Sequence, residues 1–503
     1  MDKNRRIEEK NTFHFPGNLG ALLDRASDLF PVRPGIGVQG QLLTFEEYHD
    51  RVCRIVHGLK KIGLGPNRRV LLMAPSSLEY ALISLAVFRI GAELVPVNPR
   101  IRQHELAHIL SDTHLEYVIC ERTGMSTVSK AHALTRDLPQ PCLITIDERA
   151  PSTLFLYDLD LSSQDTGCEQ MGNRDTAMIV YTAAMDGYAM GAQLTHTSLF
   201  NDAIFFAEEC FEGENSGCEV AASILPLFHT YGFTNGFLVP LAGGVTDLLL
   251  EPSLRARDMV DIMDAWQVTQ IVSVPRIFSS ILKPIGQKPE LRCRLKNLIS
   301  GGVKISIELL EAYMKEVQLP INEGYGLTES SPVVTWNRGR PAPRFGTVGY
   351  PLGCCQIKIV DDKGEELARG NKGEVLVKGS NLFSGYLNQP ERTKDAFLKG
   401  WFKTGDLGLL DEDNYLTLTG LKKDMINVFG LKAYPKEVER IIARHPDIRS
   451  VHVCKEHHHN LGEMVSCVVS LKPGRTMKRR DFHKWCRENI SPYKIPRNVR
   501  ING

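Results

Sequence analysis

Between residues 43 and 120, short aliphatic runs alternate with segments of helical apolar spacing. That alternation restricts the chain to parallel or mixed sheets covered by helices on both faces. Thr44 and Glu47 form the S/T-x-x-E signature of a capping box, and the apolar positions behind it keep helical spacing to Leu59. Residues 69–73 then read as a buried strand, 76–90 as a helix, 93–97 as a strand, 103–112 as a helix and 115–120 as a strand. The pattern returns over 218–250 and 256–300. The longest apolar stretch, 80–97, carries Arg89 and Glu93 and is broken by Gly91, so it reads as a buried helix and strand and not as a membrane span. After Gly346 the texture changes to short strands (357–360, 373–378, 415–418) separated by Gly, Asp and Asn turns. From Asp424 the order is strand, helix 436–443, strands 448–454 and 464–471, and helix 478–489. The expected fold is α/β: a large N-terminal domain over 1–422, with a β-rich subdomain at about 346–422, and a small α+β domain over 423–503.

At 503 residues, with 43% hydrophobic and 24% charged, the chain has the composition of an ordinary globular protein with ample core. Sixty basic residues against 59 acidic ones leave a formal charge of +1, which makes no electrostatic case for nucleic acid or an anionic membrane. The twelve cysteines form no CxxC pair and no signal peptide precedes them, so they read as reduced thiols of a cytoplasmic protein. Cys454 with His457, His458 and His459 reads as a polar hairpin turn in preference to a metal site. A homodimer is the default assembly for a soluble enzyme.

Three stretches carry chemistry. In Glu323-Gly324-Tyr325-Gly326-Leu327-Thr328-Glu329-Ser330, the two glycines let backbone approach a ligand, Thr328 can donate to a phosphate and Glu329 is a hard ligand suited to Mg²⁺. Alone, the stretch reads equally as a glycine-rich turn with a capping Thr and Glu. Trp401-Phe402-Lys403-Thr404-Gly405-Asp406-Leu407-Gly408 reads as a turn presenting one carboxylate, able to chelate a ribose diol. Residues 420–430 and Tyr434-Pro435-Lys436-Glu437 read as a hairpin followed by a helix with Pro near its start.

The order and spacing of these stretches resemble the AMP-forming adenylating enzymes: acyl- and aryl-CoA synthetases, peptide-synthetase adenylation domains and luciferases. The resemblance runs from about Leu43 to Arg497. It implies activation of a small carboxylic acid on ATP with Mg²⁺, giving acyl-AMP and diphosphate, followed by transfer of the acyl group to CoA. By resemblance Tyr325 stacks on adenine between Gly324 and Gly326, Thr328 contacts the α-phosphate, Glu329 holds Mg²⁺ and Asp406 binds ribose. Pro226-Leu227-Phe228-His229-Thr230-Tyr231-Gly232 resembles the segment gating the acyl pocket, with His229 as gate and Tyr231 on its wall, and Gly301 and Gly302 lie in the turn lining both pockets. Lys423 matches the hinge between the domains, and Gly430 matches the close approach of the pantetheine arm of CoA.

Other positions depart from the family. Its phosphate loop survives as a frame (Tyr181, Thr182, Gly187, Gly191, Thr195, His196), but Ala183, Met185 and Asp186 replace its hydroxyls and Met190 replaces its lysine. The ribose-binding arginine falls on Leu421, and Asn427 stands for a usual lysine. The chain stops at Gly503, short of the loop that carries the family's adenylation lysine, and Lys494 belongs to the preceding matched segment. The resemblance with these departures implies an acyl-CoA synthetase-like protein whose adenylation half-reaction is weakened or lost. The alternatives are a binder of AMP, acyl-adenylate or acyl-CoA without turnover, and an acyltransferase fed an acyl-adenylate made elsewhere. Fatty, aromatic and alicyclic acids are all compatible with it.

Overall fold

The computed structural model describes residues 15–38, 40–135, 138–182, 189–211, 219–338, 344–421, 425–428, 431–458 and 462–502. Two large sheets dominate. One has nine strands, in the order Tyr350–Pro351, Val333–Trp336, Ile321–Gly326, Asn297–Ser300, Gln270–Ser273, Val220–Ser223, Thr246–Leu249, Pro34–Val38 and Gln41–Thr44. Its interior pairs are parallel and its outer strands turn antiparallel. The other has eight strands and is built on the parallel neighbours Thr176–Thr182, Glu93–Pro96, Arg69–Met73, Tyr117–Cys120 and Cys142–Thr145.

The helix Leu78–Arg89 is apolar nearly all round because it is buried on every side. Ser77 caps it, accepting from the Tyr80 amide at 3.1 Å. Its one cation, Arg89, is fully buried, paired with Asp24 and donating to the Thr166 carbonyl at 2.6 Å. The predicted capping box is present, with Thr44 and Glu47 bonded reciprocally at the start of Phe45–Lys61. Among the described residues no helix is long and apolar enough to cross a membrane.

Beyond the large sheets, Cys355–Val360, Gly373–Gly379, Trp401–Leu410, Phe397–Leu398 and Leu416–Leu421 form a five-stranded antiparallel sheet with its own apolar cluster. The C-terminal part is α+β: the hairpin Ile426–Val428 and Leu431–Ala433, the helices Pro435–Ile442 and Arg479–Asn489, and the sheet Ile448–His458, Gly462–Leu471 and Asn498–Asn502.

Two local expectations change. Residues 401–408 are not a turn: they lie in the ten-residue strand Trp401–Leu410. Gly405 takes φ +75 there and the register slips between Leu407 and Gly408, so the polar residues sit on a bulged strand. Cys454 and His457 likewise belong to a strand running to His458, not to a turn.

Candidate active site

Ligands of open α/β sheets collect at the carboxyl ends of the strands. Here both large sheets present those ends to one cavity of about 980 Å³. Ser300–Gly302 and Gly324–Glu329 come from the nine-stranded sheet, and Pro96–Asn98 and Val180–Thr182 from the eight-stranded one. The remaining walls are Phe228–Tyr231, the strand carrying Asp406, and the small C-terminal domain.

The strand Ile321–Gly326 runs straight into a single 3₁₀ turn, Thr328–Ser330. The Ser330 hydroxyl accepts from the Leu327 amide at 3.0 Å and so fixes the turn that presents Thr328 and Glu329. A Cβ on Gly326 would lie 1.6 Å from the Pro332 carbonyl oxygen. That glycine is therefore demanded by the protein's own backbone, whereas Gly324 has only ordinary contacts at the same test. Glu329 is 9% exposed, and one of its oxygens accepts from the Tyr386 hydroxyl at 2.9 Å. Burial and the Glu329 charge both push the Tyr386 phenol well up, so it stays a neutral donor.

Asp406 is oriented through Thr404, whose hydroxyl accepts from the Asp406 amide at 3.0 Å and donates to the Val375 carbonyl at 2.8 Å. The Tyr325 hydroxyl donates to Asp406 at 2.5 Å, which ties together two residues 81 positions apart. Burial first, and then the Asp406 carboxylate, raise the Tyr325 phenol far above its ordinary range. Across the strand pair, Leu421 stands directly opposite Asp406 and is 39% exposed.

His229 caps the short helix Thr230–Phe233, its Nδ1 accepting from the Tyr231 amide at 3.2 Å. Tyr231 is buried and donates to the Ser273 carbonyl at 3.1 Å. Gly232 is required for closure of this segment, since a Cβ there would meet the Pro226 carbonyl oxygen at 2.2 Å. A Cβ on Gly301 would stand 3.2 Å from the Tyr231 ring, and Gly302 turns at φ +79.

Thr182 pairs with Met190, and both line the cavity. Gly191 lies off the wall: a Cβ there would press Ile179 at 2.8 Å, so its small size serves strand packing. His196 is also remote. Fully buried, it accepts from the Leu19 amide at 3.1 Å, and burial lowers its pKa to about 4. Gly187, Lys423 and Gly430, with Ala183, Met185 and Asp186, lie outside the described residues.

The small domain closes the cavity through contacts that the sequence gives no local means of finding. Lys494 is 7% exposed and bonds Glu105 at 2.7 Å and Glu437 at 2.6 Å. The Ser491 amide donates to the same Glu105 at 3.1 Å. The two carboxylates hold the Lys494 ammonium charged against its burial. Asn427 donates to the Gly302 carbonyl at 3.0 Å and joins the small domain to the turn between the two walls. Glu437 has one usable sequence signal, its place at the matched helix start, and Glu105 has only its place in the first turn of a helix.

Comparison with known proteins identifies the family. The family model for AMP-binding enzymes matches residues 23–387, and that for the AMP-binding enzyme C-terminal domain matches residues 437–502. An oxalate–CoA ligase of Arabidopsis thaliana is 29% identical over 493 residues, 96% of this chain and 94% of the relative. A long-chain-fatty-acid–CoA ligase of Salmonella typhimurium is 27% identical over 510 residues, 96% of this chain and 90% of the relative. In fold, an o-succinylbenzoate CoA synthetase of Bacillus subtilis superposes with a TM-score of 0.83 at 24% identity, covering 95% of this chain and 94% of that one.

Proposed function

The chain belongs to the AMP-binding enzyme family, the AMP-forming adenylating superfamily, and from that premise we propose an acyl-CoA synthetase-like protein in which acyl transfer to CoA outlasts adenylation from ATP. The observation that carries this reading is the strand pair at Asp406. The carboxylate suited to a ribose is held in place by Tyr325 and Thr404, while the position opposite it, Leu421, offers no donor.

The retained groups fit a nucleoside monophosphate. Tyr325 offers a ring face, Asp406 a carboxylate for the ribose hydroxyls, and Thr328 a hydroxyl at the phosphate end. Glu329 suits Mg²⁺, which is usually bound by one or two carboxylates together with substrate phosphates. When bound, that ion offsets phosphate charge. The fit to a triphosphate is poorer. Met190 lines the cavity where a lysine would offset charge, and the adjoining loop carries Ala183 and Asp186 where hydroxyls are expected. Loss of one preorganised donor in such a site costs about 10²–10³ in rate. Losses within one unit do not multiply, so a combined deficit on the order of 10³ or more is the working figure.

The acyl side keeps its parts. His229, Tyr231, Gly301 and Gly302 all line the cavity, and Tyr231 is anchored to the Ser273 carbonyl, which supports an acyl pocket beside them. The hairpin of the small domain reaches the same cavity through Met425 and Leu431.

The test gives the protein CoA with either ATP plus a broad acid panel or pre-made acyl-adenylates, and quantifies acyl-CoA in both arms. Product from the adenylate arm alone is expected. Comparable rates in both arms refute the weakened half-reaction, and product in neither arm leaves ligand binding without turnover. On this reading Asp406→Ala weakens AMP binding, and unchanged affinity refutes the placement of the nucleotide.

A further inference from the structure

We propose that Glu105 is a positioning residue for acyl transfer: from the large domain it holds the small domain in the orientation that brings its hairpin to the cavity. This deepens the proposed function and rests on its reading that a thiol receives the acyl group there. Glu105 stands in the first turn of the helix Gln103–Thr113, and three donors of the small domain converge on its carboxylate. The Lys494 ammonium donates to one oxygen at 2.7 Å. The Ser491 amide donates to the other oxygen at 3.1 Å, and the Ser491 hydroxyl donates to that same oxygen. Glu105 is only 11% exposed and Lys494 is buried, so water screens this contact little and its loss is felt far more than that of an exposed ion pair.

The charges show what Glu105 is for. Glu437, in the helix Pro435–Ile442 of the small domain itself, accepts from Lys494 at 2.6 Å, and the two make a neutral pair. The small domain's own fold therefore does not call for a second carboxylate. In the large domain Glu105 accepts from the Arg102 amide at 3.4 Å, a long capping bond that a glutamine could make as well. What neither local role explains is the convergence of three small-domain donors. Lys494 ends the 3₁₀ turn Pro492–Lys494, and its neighbours Tyr493 and Ile495 pack on the apolar cluster that contains Ile426, Val428 and Ala433 of the hairpin. A grip on Lys494 is thus a grip on the hairpin. Leu431 of that hairpin lines the cavity, and the hairpin encloses in sequence Gly430, the position matched to the pantetheine arm. Asn427 is a second anchor, donating to the Gly302 carbonyl at 3.0 Å. The helix of Glu105 joins two strands of the eight-stranded sheet and Gly302 follows a strand of the nine-stranded one, so the small domain is tied to both.

The test variant is Glu105→Gln, because glutamine keeps the helix cap and the shape and removes only the charge that Lys494 answers. Small-angle X-ray scattering of the ligand-free full chain reads the placement of the small domain. Wild type should follow the curve calculated from the present arrangement, and Glu105→Gln should depart from it towards a more extended form. Single-turnover transfer from pre-made acyl-adenylates to CoA should slow about tenfold or more in the variant, since small misplacements arising far from the chemistry carry large rate penalties. AMP affinity, measured by calorimetry, should stay at its wild-type value, because Tyr325 and Asp406 are held by each other and by Thr404 within the large domain. A residue needed only for folding would lower affinity and rate together. Ser491→Ala removes one of the three donors without touching Glu105 and should reproduce the split more weakly, which decides the matter if Glu105→Gln does not fold. A wild-type curve that already departs, scattering that the variant leaves unchanged, an unchanged transfer rate, or an AMP affinity that falls with the rate would each overturn the inference. If wild type yields no thioester from any acyl-adenylate, the proposed function is refuted, and scattering alone then decides whether Glu105 places the small domain.

Discussion

Leu421→Arg places a guanidinium directly across the strand pair from Asp406, where opposed Cβ atoms are about 4.5–5.5 Å apart. At that distance the fork would reach the ribose and phosphate edge of a nucleotide bound, as proposed, at Asp406 and Thr328. Hydrogen bonds to charged groups contribute about 1.5–3 kcal/mol. Leu421 is 39% exposed, so solvent screening and the entropy of a long side chain reduce the expected gain to roughly 1–2 kcal/mol. With about 1.4 kcal/mol per factor of ten, the dissociation constant for AMP should fall by roughly 5- to 30-fold. Calorimetric titration of AMP into both proteins measures it directly. Leu421→Gln, a neutral donor of lesser reach, should gain less. Raising the salt concentration should erode the arginine's advantage more than the glutamine's. A folded Leu421→Arg protein whose AMP affinity is unchanged or weaker would refute the placement of the nucleotide against this strand pair, and with it the claim that Leu421 is the missing contact.

The other predictions concern the frame around that site. Lys494→Met leaves Glu105 and Glu437 facing each other in a nearly dry interface, and breaking a buried pair in this way costs about 3–5 kcal/mol; denaturant titration and faster proteolysis of the C-terminal domain should both report it. Gly326→Ala drives a methyl into the Pro332 carbonyl, so the variant should lose several kcal/mol or lose AMP binding, and a protein of wild-type stability and affinity would show that the strand can shift freely. Glu323 is raised by burial from 4.5 to about 7, and the folded protein therefore holds this proton more tightly than the unfolded chain between those values. Wild-type stability should fall by up to about 3 kcal/mol relative to Glu323→Gln as pH rises through that window, and urea midpoints at its two ends that keep a constant gap would contradict it.

Most of the framework follows from local patterns. The helix after Thr44 starts where predicted, running two residues past Leu59 to Lys61, and the strand 69–73 has the observed limits, because a reciprocal cap and a continuous apolar run are signals contained in a few residues. The segment 401–408 misleads for the opposite reason: Gly405 and Asp406 are turn formers, but pairing to Gly373–Gly379 on one side and Leu416–Leu421 on the other keeps them in a bulged strand. In the site, Tyr325, Thr328, Glu329 and Asp406 are legible as residue types, yet the bond that joins Tyr325 to Asp406 spans 81 positions. The link between Glu105 and Lys494 spans 389 positions, and a lone glutamate in a helix's first turn has many simpler explanations. The contact of Asn427 with Gly302 is equally invisible, since it depends on how the small domain docks.

Two of the departures from the family, Leu421 and Met190, fall where the fold does not feel them. Gly326 and Gly232 stay glycine because backbone carbonyls stand 1.6 Å and 2.2 Å from where a Cβ would sit, so the chain could not close around any other residue. Tyr231 and Thr404 are likewise bound into the scaffold by their carbonyl partners. Leu421 is different: it lies part-exposed at the end of its strand, and exchanging its side chain disturbs almost no packing. Met190 begins its strand partly exposed on the cavity wall. Changes at such positions alter ligand chemistry at little cost in stability, whereas changes at the glycines would damage both. A site can therefore shed its grip on a triphosphate and keep the architecture that receives an acyl group and a nucleoside, and that separation is what the two-arm thioester assay measures.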